Sequence, residues 1–287
     1  MTTITAREAR RCYNAHHPLH AAYYFAPEHD DLYAGLGLER GPMSYLAGRA
    51  APLGPCTAGV VTAVFYTFHP GLVRKLLPPA WRTATPERIL DTRLEIVDAC
   101  LTRLLGAEAV ASREMAEAAE LALRAAEACT QPGRPLYGAN AGLPVPAAAH
   151  LAFWHATTLL REHRGDGHVS TLVSAELTGL EALVTHTATG TNWRPAFLRR
   201  TRGWAEAEWI DARRSLHERG LLTPVGALTP QGADLRRAVE ADTDRLDVAP
   251  YRHLGTAGTA RLTQLASAFS RTVLAGGGLP LQDIGRL

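Results

Sequence analysis

The segment HLAFWHATTLLREHRGDGHVSTLVSAELTGLEALVTHT, residues 150–187, decides the fold. It opens as an apolar, aromatic helix and breaks into Arg161-Glu162-His163-Arg164-Gly165-Asp166-Gly167-His168. It then returns to an apolar helical pattern. Gly165 predicts a helix stop and Asp166 a cap for the next helix of about ten residues. Six ionisable residues set between two core-type helices are costly to bury unless they pair or do chemistry.

Upstream, Gln131 to Pro146 is rich in proline and glycine and reads as a linker. Before it, Thr85-Pro86-Glu87-Arg88 is a helix start, a threonine cap followed by proline at the first position. Thr57 caps a helix toward Phe68, although the VVTAVFYTF run would also suit a buried strand. Pro70 to Leu77 reads as a short helix stopped by Pro78-Pro79. Ala6 to Phe25 reads as a helix interrupted at His17-Pro18. Downstream, Gly203-Trp204 opens a helix that buries Trp204, Ala207, Ile210 and Leu216 and ends at Arg219-Gly220. A final helix spans about Thr256 to Leu274.

The fold class expected is mainly α, in two halves: an N-terminal helical domain, residues 1–134, and a second domain, residues 146–287. The stretch LLTPVGALTPQGADLRRAVEADTDRL, preceded by a helix and Arg-Gly, sets a short hairpin before another helix. The second half therefore reads as a degenerate winged helix with a short β-hairpin wing.

A chain of 287 residues, 46% hydrophobic, is long enough for a large core. Its net charge of +2 makes no bulk demand for nucleic acid or an anionic membrane. Cys12, Cys56, Cys100 and Cys129 are widely spaced with no CxxC pair, so reduced thiols are expected. The start of the chain lacks a signal-peptide core and no apolar run reaches membrane length, which predicts a cytoplasmic protein. There is no GxGxxG opening a βαβ unit, no P-loop, no GxSxG elbow and no CxxCH. Cofactor-free chemistry or plain ligand binding is favoured, and no cofactor is expected.

Three constellations carry candidate chemistry. His155, Arg161, Glu162, His163, Arg164, Asp166 and His168 form the first. Histidine titrates near neutrality, and Glu162 or Asp166 would orient it, so His163, His168, Glu162, Asp166 and His155 are the candidate acid–base residues. The competing reading is a solvated helix end with Asp166 as cap. His16, His17, His20, Glu28, His29 and Asp30 form the second. The i, i+4 spacing of His16 and His20 suits a shared metal, with Glu28 as a third ligand, provided that Pro18 does not break the helix. Surface or capping histidines are the alternative. The third is Arg49 in AGRAAPLGP, near the aromatic run Tyr23-Tyr24-Phe25. An arginine there either clamps a carboxylate or phosphate or ties the loop down. His20, Tyr24, Glu28, Arg49, Tyr66, Trp154 and Arg161 are the candidate ligand-binding residues, their aromatic members being core by default.

The stretches EARRCYNAHHPLHAAYYFAPE, YLAGRAAPLGP, FYTFHPGLVRKLLPPAW and FWHATTLLREHRGDGH together resemble an actinobacterial helix-turn-helix-like family. Residues near the expected wing are similar to MarR-type regulators. The resemblance implies a winged-helix fold. It also draws attention to His20, Glu28, Arg49, His155, His163, Asp166 and His168, which lie within the matching stretches.

Two functions are then in view. One is a small-molecule-binding protein, an enzyme of specialised metabolism using histidine–carboxylate chemistry in a cleft between the halves, with Arg49 or Arg161 fixing an anionic ligand. The other is a ligand-responsive DNA-binding regulator that uses Arg194, Arg199, Arg200, Arg202, Arg213, Arg214 and Arg219. Against the second, the helix bearing Arg213 and Arg214 also carries Glu206, Glu208, Asp211 and Glu218, whereas a recognition helix is normally net basic. A homodimer is expected in either case to be possible, and no membrane partner.

Overall fold

In a computed structural model, residues 3–191 and 193–285 are described. They form α1 (Ala6–Ala22), α2 (Pro27–Gly35), α3 (Pro42–Ala50), α4 (Ala58–Phe65), α5 (Pro70–Thr83) and α6 (Pro86–Leu105). α7 (Ala107–Val110), α8 (Arg113–Ala126), α9 (Pro135–Ala141), α10 (Ala149–Ser174) and α11 (Gly179–Thr187) follow. The last are α12 (Pro195–Arg202), α13 (Glu206–Glu218), α14 (Pro230–Leu246) and α15 (Ala249–Ala275). The protein is mainly helical, as its periodicity predicts. The chain divides into two compact units that interleave in sequence. The first comprises Met1–Pro55, Ala80–Gly167 and Asp244–Leu279; the second comprises Cys56–Pro79, His168–Thr243 and Pro280–Leu287.

Several helix starts follow the expected capping chemistry. The Thr57, Thr85 and Thr229 hydroxyls accept from the backbone N–H groups of Val60, Arg88 and Gly232. The VVTAVF run is helical, ending at Phe65 rather than Phe68, with Tyr66 at φ 53°. The stretch read as a linker contains the short helix α9.

Three expected helix breaks do not occur. α1 continues through Pro18, and α5 continues through Pro78 and Pro79 to Thr83. A helical proline strips the N–H partner from the carbonyl four residues back. Here those carbonyls belong to Asn14, Arg74 and Lys75, all on exposed positions where water can replace the donor. The third break, at Gly165, is also absent, because α10 is one 26-residue helix through both glycines. Gly167 has a different purpose: a Cβ there would stand 2.8 Å from Arg134 Nη1. The bare backbone admits the Arg134 guanidinium, which donates to the carbonyls of His163 and Leu246.

In the first unit, α1 packs along α15, and α15 also packs on α8 and α6. Leu19, Tyr33, Ile96, Leu101, Phe153, Trp154 and Tyr251 are completely enclosed there. In the second unit, Leu172, Val184, Phe197, Leu198, Trp209, Leu216 and Val239 make the core. The buried face of α13 is Trp209, Ala212 and Leu216, and Ile210 is half exposed, so the helix is turned relative to the expected face.

The expected β-hairpin wing is not formed. Among the described residues this segment holds one antiparallel bridge, Leu222↔Leu228, and no strand. Pro224 has no N–H to donate, and the ladder is limited to Thr223 N–H to Ala227 O and Thr229 N–H to Leu221 O. All four cysteines are free. Among the described residues no helix is long and apolar enough to cross a membrane.

Candidate functional site

The first unit gathers a charged and aromatic cluster from α1, α3 and α10. Helical spacing sets its walls: Tyr13 and His17, then His20 and Tyr24, succeed each other at i, i+4 along α1 and the turn after it. On α10 the same spacing aligns Trp154, Thr158 and Glu162, with Arg161 adjacent. α3 approaches closely because Gly48 lies against the Tyr23 and Tyr33 hydroxyls, which are 2.6 Å apart; a Cβ at Gly48 would stand 2.6 Å from Tyr33 Oη. The next residue, Arg49, is thereby delivered to α10.

Glu162 is the charge at the centre. Its side chain is 2% exposed and accepts from Arg49 Nε at 3.2 Å and Nη2 at 2.9 Å, and from Arg161 Nη1. Burial alone would raise its carboxyl, but the two guanidiniums prevail and hold it near 2. Glu162 is thus an ionised clamp between two cations. Arg161 also lies 5.4 Å over the Tyr24 ring.

Tyr13, His17, Tyr24, Tyr45 and Arg161 retain partial accessibility. Yet loss of solvent is the first influence on the ionisation of Tyr13, His17, Tyr24 and Arg161. Groups that are walled in but still accessible line an internal recess. Burial, with Arg161 and Arg164, lowers His17 to about 4. Burial raises the Tyr24 phenol to about 12. Both are therefore neutral at pH 7. His17 contacts Tyr13 by ring stacking and by an Nδ1–Oη approach of 3.4 Å.

The recess has a second layer. His20 stacks on Trp154 at 5.1 Å and its Nε2 lies 3.0 Å from Thr158 Oγ1. Because that hydroxyl donates to Trp154 O, it accepts from His20, which fixes the Nε2–H tautomer. Arg164 packs 5.0 Å over Tyr13 and pairs with Asp244 at 2.7 Å.

Of the seven candidate ligand residues, His20, Tyr24, Arg49, Trp154 and Arg161 meet here. Glu28 is instead paired with Arg103, at 2.9 Å. Tyr66 belongs to the second unit and donates to Leu177 O at 2.6 Å. The five candidate acid–base residues do not converge. Glu162 is in the clamp. His163 Nδ1 is 3.1 Å from Asp247 Oδ1 in a buried pair. Asp166 accepts from Tyr137 N–H at 2.9 Å in the first turn of α9, so it caps that helix rather than a new one. Burial raises its carboxyl to about 6. His155 is buried and lowered to about 4 by desolvation and Arg93. His168 lies in the second unit, its Nδ1 2.9 Å from Thr243 Oγ1. His16 and His20 do share a continuous helix, but among the described residues no three His, Cys, Asp or Glu side chains are grouped to hold a metal.

His17 is reached from the sequence only as a member of the histidine constellation, and Tyr13 not at all. The i, i+4 spacing of Tyr13 and His17 is a usable signal, masked by the apparent break at Pro18.

In the second unit, α12, a turn at Gly203–Ala205 and α13 form a helix–turn–helix. Its arginines are engaged locally. Arg199 pairs with Glu206, Arg200 and Arg202 lie over Phe197 and Phe68, Arg213 donates to Val225 O and Arg219 to Glu181. The exposed charges on α13 are Glu206, Asp211, Arg214 and Glu218, a net acidic surface. A family model, described as a helix-turn-helix family, matches residues 9–280, and the chain belongs to that family. No curated protein and no solved structure matches it significantly.

Proposed function

We propose that the first unit binds a small organic anion in the recess of Tyr13, His17, Tyr24, Arg49 and Arg161. One observation carries this reading: two guanidiniums share the single carboxylate of Glu162. Glu162 raises both Arg49 and Arg161, alongside the Tyr24 and Tyr45 phenols. A buried cation in excess of its counter-charge is costly, and an anionic ligand would relieve that cost. Aromatic walls suit a ring-bearing carboxylate. Specialised metabolism and cofactor-independent turnover remain part of this proposal.

Calorimetric titration of the purified protein with benzoate, phenylacetate and phenylpyruvate tests it. Binding is expected, weakened at least tenfold, about 1.4 kcal/mol, by Arg161→Met. Absence of binding by all three, or equal binding by a folded Arg161→Met protein, overturns it.

Family membership favours a second reading, DNA binding through α12 and α13. The acidic exposed surface of α13 weighs against it, because phosphate contact dominates affinity for DNA. A gel shift with the DNA flanking its own coding region decides. A sequence-specific, salt-sensitive complex at nanomolar protein makes DNA a partner; uniform weak binding removes this reading.

A further inference from the structure

Three polar groups on the recess wall have hydrogen-bonding capacity that the protein leaves unused among the described residues. The Tyr24 hydroxyl makes no hydrogen bond. His17 uses only Nδ1, toward Tyr13. Arg161 spends one Nη1 contact on Glu162. None of these unused atoms belongs to the fully buried, unpartnered set, so they face open space rather than packed core. With His17 Nδ1–H donating to Tyr13 Oη, His17 Nε2, the Tyr24 hydroxyl and the remaining Arg161 donors are a proton acceptor, a neutral donor and a fixed cation on one wall.

We infer that His17 is the general base of a proton transfer on the anion bound beside Arg161. The inference rests on the anion-binding reading above. The substrate class is a 2-oxo or 3-oxo carboxylate with a ring and an acidic C–H next to its carbonyl. His17 Nε2 takes that proton, and the C–H electron pair moves into the C–C bond while the carbonyl π pair moves onto oxygen. The resulting enolate oxygen is held by Arg161 and receives a hydrogen bond from Tyr24. Return of the proton to carbon or oxygen completes a tautomerisation, so atoms and electrons balance with no co-reactant. The unliganded recess keeps His17 neutral through burial and the two nearby guanidiniums. A bound carboxylate offsets those cations and raises the basicity of His17 only when substrate is present. Tyr13 is a positioning residue: its ring and hydroxyl fix the imidazole so that Nε2 is the free nitrogen.

Phenylpyruvate is the probe, with deuterium exchange at its methylene followed by proton NMR in heavy water and binding followed by calorimetry. Wild-type protein is expected to bind it and to accelerate exchange at least a hundredfold over buffer. His17→Gln should return exchange to the buffer rate, a loss larger than whatever it costs in binding. Tyr24→Phe should cost about tenfold in exchange. Tyr13→Phe should shift the pH profile of exchange. Binding without acceleration, or a His17→Gln protein as fast as wild type, overturns the inference and leaves the anion-binding reading standing. Failure of wild type to bind any of the three carboxylates overturns both.

Discussion

Two arginine clusters, one in each unit, sit in opposite surroundings. In the first, Arg49 and Arg161 lie inside the protein and share one carboxylate that is 2% exposed. In the second, Arg214 pairs with Asp211 at the surface, both more than 60% exposed. The distances are similar, near 2.9 Å, but the surroundings are not. Charge attraction at an exposed pair is screened and worth little, whereas a buried cluster is expensive to build and more expensive to break. Chemistry is therefore sought where the protein tolerates the greater cost.

The largest expected effect is acid unfolding of the first unit. His16 and His155, both buried, are lowered to about 3 and about 4. A histidine with a folded pKa below its unfolded value binds fewer protons when folded. Its contribution is complete above pH 6.5 and is lost as pH falls toward the folded value. Each such group is worth about 3 kcal/mol, and together they rival a typical domain's stability of about 5–15 kcal/mol. Circular dichroism against pH should show cooperative loss of helix between pH 6 and 4. A fold intact at pH 3 would break the comparison.

Next comes Glu162→Ala, which strands two buried guanidiniums and should cost about 3–5 kcal/mol in denaturant unfolding. A loss below about 1 kcal/mol would place the cluster in effect at the surface.

Asp166 gives a smaller effect of opposite sign. Its folded value of about 6 lies above its unfolded one, so burial costs nothing below pH 4 and is fully felt above pH 6. Asp166→Asn keeps an acceptor for the start of α9. Its stability relative to wild type should rise between pH 4 and 8, by up to about 3 kcal/mol. A pH-independent difference would show that the carboxyl is not desolvated. The smallest effect is expected at Arg214→Ala, within about 0.5 kcal/mol in the same assay.

Local signals in the sequence carried much of this. Threonine caps and the 3.6-residue period placed α4, α6, α13 and α14, because those preferences act within one turn. Five ligand-site residues were legible as ionisable or aromatic groups inside apolar runs. At Gly165, Pro18 and Pro78-Pro79, where glycine or proline was taken to break a helix, the reading failed, since their effect there depends on tertiary surroundings. Gly167 is glycine because Arg134 crosses the helix there. Pro18, Pro78 and Pro79 are tolerated because water replaces the lost donor. The expected wing failed for a related reason: a turn dipeptide shows where a chain reverses, but not how many cross-links follow. The clamp itself joins positions 113 residues apart, beyond any local pattern.

That α1 lies along α15 has a consequence for synthesis. His16 meets Tyr251, and Ser270 donates to the carbonyl of Ala15 across 255 positions. α1 leaves the ribosome long before α15, the partner it packs along. Contacts of such span make closure slow and leave the apolar side of α1 exposed to capture meanwhile. The recess, walled in part by that helix, is held in place only once α15 has been made.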